Sequence, residues 1–125
     1  MNPTAHFTKG DVIYGRINSD AIHPIIYLGE KDDDYFRGAM ITSKAIHRGR
    51  KNILMNENHI ESHDESGKKN EFQFRNSYFV YANLIKKNEW QPFRKTGRLT
   101  PEGIEFVEET IGSLEEKSFE DYDSQ

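Results

Sequence analysis

No apolar run in this 125-residue chain exceeds five residues, and turn-forming residues separate the runs that exist. A bilayer-spanning helix needs about 20 consecutive apolar residues, so none is expected and no membrane partner is implied. What remains is a chain of short strands joined by tight turns. Gly10-Asp11 is a turn signal that leads into an alternating strand over Val12-Ile13-Tyr14-Gly15-Arg16-Ile17, which Asn18-Ser19-Asp20 breaks. Pro24 opens Ile25-Ile26-Tyr27-Leu28, a continuous apolar run closed by Gly29 and expected to be buried on both faces.

Further strands are expected after the acidic tip Glu30 to Asp34. Tyr35 to Thr42 forms one and Asn52 to Met55 a shorter one. Between them Ser43 to Lys51 is a basic loop, and Asn56 to Asn70 is a polar, weakly patterned loop that a short helix could partly cover. The aromatic stretch Asn76 to Ala82 carries the strongest strand pattern of the chain, with Asn83 to Lys86 as its continuation past a bulge and Lys87 to Pro92 as a turn. Glu71 to Phe74 is available to pair with a neighbouring segment.

One helix is predicted, near the C-terminus. Thr100 can cap free N–H groups and Pro101 occupies the first helical position, where its missing N–H costs nothing. Glu102 complements the positive helix end. Ile104, Val107, Ile111 and Leu114 recur three or four residues apart as a single apolar stripe, and Gly112 weakens or ends the helix. These elements predict a mainly β fold: a small β-barrel over residues 1–114 closed by a C-terminal helix, followed by an acidic, flexible tail over residues 115–125.

The chain has no cysteine, which excludes disulfides, thiolate metal sites and a thiol nucleophile. Met1 to Thr8 lacks the basic-then-apolar pattern of a signal peptide, so a cytoplasmic location is expected. The net charge is −4, but it is unevenly spread. Met1 to Ile104 carries 16 cationic and 13 acidic residues, whereas Glu105 to Gln125 carries one lysine and eight acids. A mildly basic body can bind an anion locally despite an acidic tail, because short-range fields decide binding.

Several groups of residues carry chemistry. Gly10, Gly15, Gly29 and Gly38 are too scattered for a phosphate loop. His59 and His63 stand four apart with Glu57, Glu61 and Asp64 near them, but no convincing helix pattern aligns them; a solvated loop is the plainer reading, and neither metal nor cofactor is expected. Lys44, His47, Arg48, Arg50 and Lys51 place five basic or potentially basic residues within eight positions, directly after Thr42-Ser43 at a strand end. Arginine can bind phosphate bidentately and lysine adds a point charge. His23, just before Pro24, can act as general acid or base near neutral pH, although a lone histidine there is more often structural. Lys86, Lys87, Arg94, Lys95 and Arg98 interleave with Trp90 and Phe93 and could stack on unpaired bases, or those two aromatics could plug the base of the barrel.

Gly10-Asp11-Val12-Ile13, His23-Pro24-Ile25-Ile26-Tyr27-Leu28 and Ala39-Met40-Ile41-Thr42-Ser43 resemble, in that order, the short motifs of MazF/PemK-like toxins. Those are a GD-plus-hydrophobic strand, an Arg-Pro-hydrophobic strand and an apolar strand ending in Ile-Thr. Asn52 to Met55 and Ser77 to Lys86 fall where that family has later strands, and the likeness covers roughly residues 8–111. The resemblance implies an SH3-like barrel that forms a homodimer, and a metal-independent endoribonuclease of a toxin–antitoxin system. Single-stranded RNA would be its substrate and a cognate antitoxin its partner.

It also implies roles. His23 stands where the family has arginine, and Thr42 matches the family's threonine. On this reading His23, Thr42, Arg48 and Arg50 are catalytic: His23 as acid or base, Thr42 positioning the phosphate, the arginines stabilising charge. Ser43, Lys44, His47 and Lys51 bind RNA. Histidine moves a proton but lacks the bidentate fork of arginine, so a second reading stands beside the first: a non-catalytic barrel that binds nucleic acid or a protein. A third lets the tail over Glu115 to Gln125 fold across the basic loop in place of RNA.

Overall fold

The computed structural model of the chain describes residues 6–14, 23–87 and 93–123. The first strand, β1 (Asp11–Tyr14), pairs antiparallel with β2 (Ile25–Glu30), and β2 with β3 (Tyr35–Thr42). Gly15 to Ile17, Asn18 to Asp20, the turn residues Asn88 to Pro92 and therefore Trp90 lie outside the described residues.

As expected, β2 is buried on both faces. Ile26 and Leu28 enter the main core with Val12, Ala39, Ile41 and Phe79. Ile25 and Tyr27 point the other way, to Ile13 and Phe36 with Phe7 and Phe93 packed on them. The period-two alternation of a strand turns one continuous apolar run into two packing faces.

The aromatic stretch over 76–82 is not one strand. Only β7 (Tyr78–Phe79) is extended there, and it pairs with Ile41–Thr42 at the end of β3 and with β6 (Ile53–Leu54). The chain then turns through Val80 to Ala82, with the Val80 N–H donating to the Met40 carbonyl (3.0 Å), and β8 (Asn83–Lys87) pairs with the first half of β3. One long strand thus serves two partners in succession.

The basic loop contains a small hairpin of β4 (Ile46–His47) and β5 (Arg50–Lys51). Its turn, Arg48-Gly49, has φ of +51° and +78°, the left-handed pair that matches strand twist in a tight hairpin. A strand without an apolar residue, β9 (Arg94–Arg98), pairs with β1.

The sheet runs β8-β3-β2-β1-β9, with β10 (Glu116–Ser118) added in parallel beside β8. Its two ends do not meet. The expected SH3-like barrel is therefore corrected to an open, mainly β sheet. The physical reason is that each outer edge already has a partner. The segment over 60–72 lies along β9, through Glu61 N–H to the Arg98 carbonyl (2.9 Å) and Phe72 N–H to the Thr96 carbonyl (2.8 Å), while β10 covers β8.

The helix α1 (Pro101–Ile111) begins and ends as its sequence predicts. The Thr100 hydroxyl accepts from the Gly103 N–H (3.0 Å), Pro101 opens the first turn, and Gly112 is the C-terminal cap. Val107 and Ile111 are fully buried against the main core, with Ile104 and Leu114 packed beside them. Between β6 and α1 a 3-10 turn (Glu57–His59) docks under the helix start, covering part of the polar loop as its sequence allows. No helix among the described residues is long and apolar enough to cross a membrane.

The C-terminal segment, expected from sequence to be flexible, carries two elements. After Leu114 the chain forms β10 and then a short helix, α2 (Phe119–Asp123). Sequence alone shows too few apolar residues to hold this segment, but two well-placed aromatics suffice. Tyr122 is buried with Val80, Ala82 and Leu84, and Phe119 packs on that cluster. Glu116 pairs with Lys31 and, at 3.7 Å, with Arg37.

Candidate functional site

The antiparallel register that sets Ile25 opposite Met40 brings the residues just before β2 beside the end of β3. The Ile41 N–H donates to the Pro24 carbonyl (2.9 Å), and the His23 ring hydrogen-bonds to the Ile41 backbone. His23 and Thr42, 19 positions apart in the chain, therefore flank the same point on the sheet end. The Thr42 hydroxyl oxygen accepts from the Lys44 N–H (3.2 Å) and so turns the chain sharply out of the sheet.

Asn52 fixes where the basic hairpin goes. Its backbone N–H donates to the Ala45 carbonyl (2.8 Å) and its side-chain Nδ2 to the Lys44 carbonyl (2.9 Å), which pins the hairpin base over the sheet end. A cavity of about 280 Å³ results. His23, Thr42, Lys44, His47 and Asn52 supply its polar wall, and Met40, Val80, Phe119 and Tyr122 its apolar wall. A second cavity of about 350 Å³ shares His23 and Thr42 and extends along Ser43, Gln73, Arg75 and Ser77. His23 and Thr42 thus form the ridge between two open grooves.

The basic residues singled out by sequence separate into two groups. Lys44 and His47 line the first cavity and Ser43 the second. Arg48 occupies the hairpin tip and Lys51 an exposed position on β5, and neither lines these cavities. Arg50 is turned to the C-terminal segment. Its Nη1 donates to the Tyr122 carbonyl (2.6 Å), and its guanidinium lies 4.0 Å from the centroid of the Tyr122 ring. The C-terminal segment does fold toward the basic hairpin, then, but a carbonyl and an aromatic face make the contact to Arg50, and Glu116 points to Lys31 and Arg37 instead.

The second basic group has other duties. Arg98 and Lys95 reach Asp11, which is buried and also accepts from the Thr8 N–H; Arg94 pairs with Glu71. The Gly-Asp pair thus clamps β9 to the N-terminal turn. Phe93 packs edge-on against Phe36 at 5.3 Å, as a core plug would. His59 sits in the 3-10 turn, its Nδ1 accepting from the Asn56 N–H and its ring stacked 4.6 Å from Phe106. The turn ends at His59, so His63 does not share a helical face with it.

Electrostatics single out two groups. Burial holds the His23 imidazole below its ordinary 6.5, and the nearby Lys86, Lys44 and His47 act in the same direction; the hydrogen bond to Ile41 opposes them. His23 is therefore mostly neutral at pH 7. Lys86 on β8 is only 1% exposed, with its Nζ 5.1 Å from the Phe119 ring centroid. Burial lowers its ammonium to about 8, against the weaker opposing field of Glu120. Sequence grouped Lys86 with cations that could stack on unpaired bases; the missing signal was its place in β8, two residues after Leu84, which sends both side chains to the same side.

The Lys86 shift has a sign. Its folded-state value lies below the unfolded 10.5, so between about pH 8 and 10.5 the unfolded chain binds more protons and stability rises with pH. Lys86→Met should stabilise the chain at pH 7 by on the order of 2–3 kcal/mol, by removing a buried charge. Urea unfolding of both proteins at pH 7 and pH 10 checks this: the gap between them should largely close at pH 10. A gap that stays constant, or a destabilised variant at pH 7, would contradict a costly buried ammonium.

Three residues of the cavity wall escaped sequence reasoning: Asn52, Phe119 and Tyr122. The last two are the only aromatics in the acidic stretch after Ile111. Their spacing of three, one helical turn, is the signal that would have shown them to be anchors. Compared with protein-family models, curated proteins and solved structures, the chain matches none.

Proposed function

We propose that the chain is a metal-independent endoribonuclease of the toxin type, cutting single-stranded RNA at the ridge formed by His23 and Thr42. The observation that supports it is the convergence of His23, Thr42, Lys44 and His47 on one cavity. Cleavage without a metal needs a base for the ribose 2′-hydroxyl, a donor for the leaving oxygen and positive charge on the crowded phosphate. A mostly neutral His23 takes the 2′-hydroxyl proton as that oxygen bonds to phosphorus. The bond from phosphorus to the 5′-oxygen then breaks, and His47 across the cavity returns a proton to it. Products are a 2′,3′-cyclic phosphate and a 5′-hydroxyl. Thr42 donates to a phosphate oxygen, and Lys44 supplies the fixed charge. Arg48 and Arg50, expected from sequence to be catalytic, have no part in this arrangement. A cognate antitoxin and a second copy of the chain belong to the same proposal, through the motif order shared with MazF/PemK-like toxins.

Purified protein should cut single-stranded RNA with a chelator present, leaving cyclic-phosphate ends. Intact RNA at micromolar protein, with no antitoxin added, would remove the enzyme from consideration. A second reading then takes its place: RNA binding without cleavage. It is favoured by the absence, among the described residues, of a guanidinium lining the His23–Lys44 cavity. Salt-dependent affinity for uncut RNA would identify it, since phosphate contacts release counterions.

A further inference from the structure

The cavity lining is part polar and part apolar, and the proposed chemistry uses only the polar part. Beside the imidazoles and Lys44 the lining includes Phe119 and the apolar side chains of Met40 and Val80. Phosphate has no use for an apolar wall. A planar ring has, because stacking on an aromatic face is indifferent to base identity and strong in a partly dry site.

The wall is held firmly. Tyr122 is 6% exposed and locked by Arg50 through its carbonyl and its ring face. Phe119 lies one helical turn earlier, 6.2 Å from the Tyr122 ring, and is only partly buried. β10 fixes the whole segment to β8, and the Asn83 side chain donates to the Leu114 carbonyl (3.0 Å) where the segment begins. Phe119 is therefore presented on a fixed support.

The polar wall holds a complementary feature. Asn52 is 8% exposed, and its Nδ2 is committed to the Lys44 carbonyl, which fixes the orientation of the amide. Its Oδ1 is buried with no hydrogen-bond partner among the described residues. Such an acceptor is costly to leave unsatisfied. An amino or ring N–H group on the edge of a nucleobase would satisfy it.

We propose that this cavity is a nucleobase subsite: Phe119 stacks on the base of a bound nucleotide, Asn52 Oδ1 accepts from its edge, and the attached phosphate lies toward Lys44 and His23. The inference deepens the RNA-cleaving reading and rests on it for the choice of ligand, but its test does not require cleavage. A cavity of about 280 Å³ takes a single nucleotide and leaves the rest of an RNA strand to run over the ridge into the groove beside Arg75.

Binding of 5′-AMP, 5′-CMP, ribose 5-phosphate and inorganic phosphate to the full chain is measured by calorimetry. The nucleotides should bind at least about 10-fold more tightly than ribose 5-phosphate, and inorganic phosphate no better than the latter. Phe119→Leu keeps an apolar side chain over Lys86 but removes the π-face; it should weaken nucleotide binding by roughly 5- to 150-fold and leave ribose 5-phosphate unchanged. Ring-proton shifts of Phe119 in the wild-type chain on adding 5′-AMP give a reading that needs no variant at all. Equal binding of nucleotides and ribose 5-phosphate, unmoved Phe119 resonances, or no binding of any probe would overturn the subsite. A chain that binds nucleotides but cuts no RNA keeps the subsite and loses the nuclease; one that cuts RNA but binds nucleotides no more tightly than ribose 5-phosphate loses only the subsite.

Discussion

Gly103→Ala is expected to destabilise the chain by about 2–4 kcal/mol, although alanine is the better helix former by about 1 kcal/mol. Gly103 lies in the first turn of α1, where the helix meets the 3-10 turn before it. A Cβ on Gly103 would stand 2.2 Å from the His59 carbonyl oxygen and 3.0 Å from its carbon and Cα. The obstacle is backbone, so no side chain can swing aside. Nor can the turn withdraw easily. The Thr100 N–H donates to the His59 carbonyl (2.9 Å) and the Thr100 hydroxyl to the Asn58 carbonyl (2.7 Å). His59 is also stacked on Phe106 of the same helix. Urea unfolding compares variant and wild type, and the midpoint should fall without a large change in slope. A neutral or stabilised variant would mean that the helix is not seated on the turn at this distance.

That junction also shows what sequence can and cannot convey. The helix start was legible, because Thr100, Pro101 and Glu102 act through bonds within four residues of one another. The docking of Gly103 on His59 was not, since it depends on a contact between elements 44 residues apart. The same division runs through the sheet. The burial of β2 on both faces follows from a run with no polar residue to place outside. β9 was invisible because Arg94-Lys95-Thr96-Gly97-Arg98 contains no apolar residue. It is held by ladder bonds to β1, by the Thr96 hydroxyl on the Val12 carbonyl (3.2 Å) and by Arg98 on Asp11. The aromatic stretch over 76–82 has the composition of one strand, but β7 and β8 pair with opposite ends of β3, and the chain turns between them.

The site divides likewise. His23 and Thr42 were paired by motif order, and antiparallel pairing of β2 with β3 makes them neighbours without further help. Which cations of the hairpin face them was not legible. A two-residue turn sends Arg48 to the tip, and Tyr122, 72 positions beyond Arg50, draws that guanidinium away. Closeness in sequence gave the five basic residues one label; the twist of a hairpin split them.

His23→Asn should lower RNA cleavage by about 100- to 10,000-fold, the usual contribution of a positioned general base, while RNA binding changes little. Asparagine keeps a hydrogen-bonding side chain of similar reach but cannot take a proton. The pH profile discriminates further. His23 must be neutral to accept the 2′-hydroxyl proton, and burial with its cationic neighbours holds its pKa below 6.5. The limb of the profile set by this base should therefore fall as pH drops through a value below 6.5. Lys86 is one of the groups that depress His23, so Lys86→Met should move this acid limb to higher pH. The direction is informative because a loss of structural support alone would lower the rate without displacing the limb. An acid limb centred above 6.5, or His23→Asn with wild-type cleavage, would assign the base to another residue. In that event His47 is next in line: it faces the same cavity, and exchanging the roles of the two imidazoles leaves the proton balance of the reaction intact.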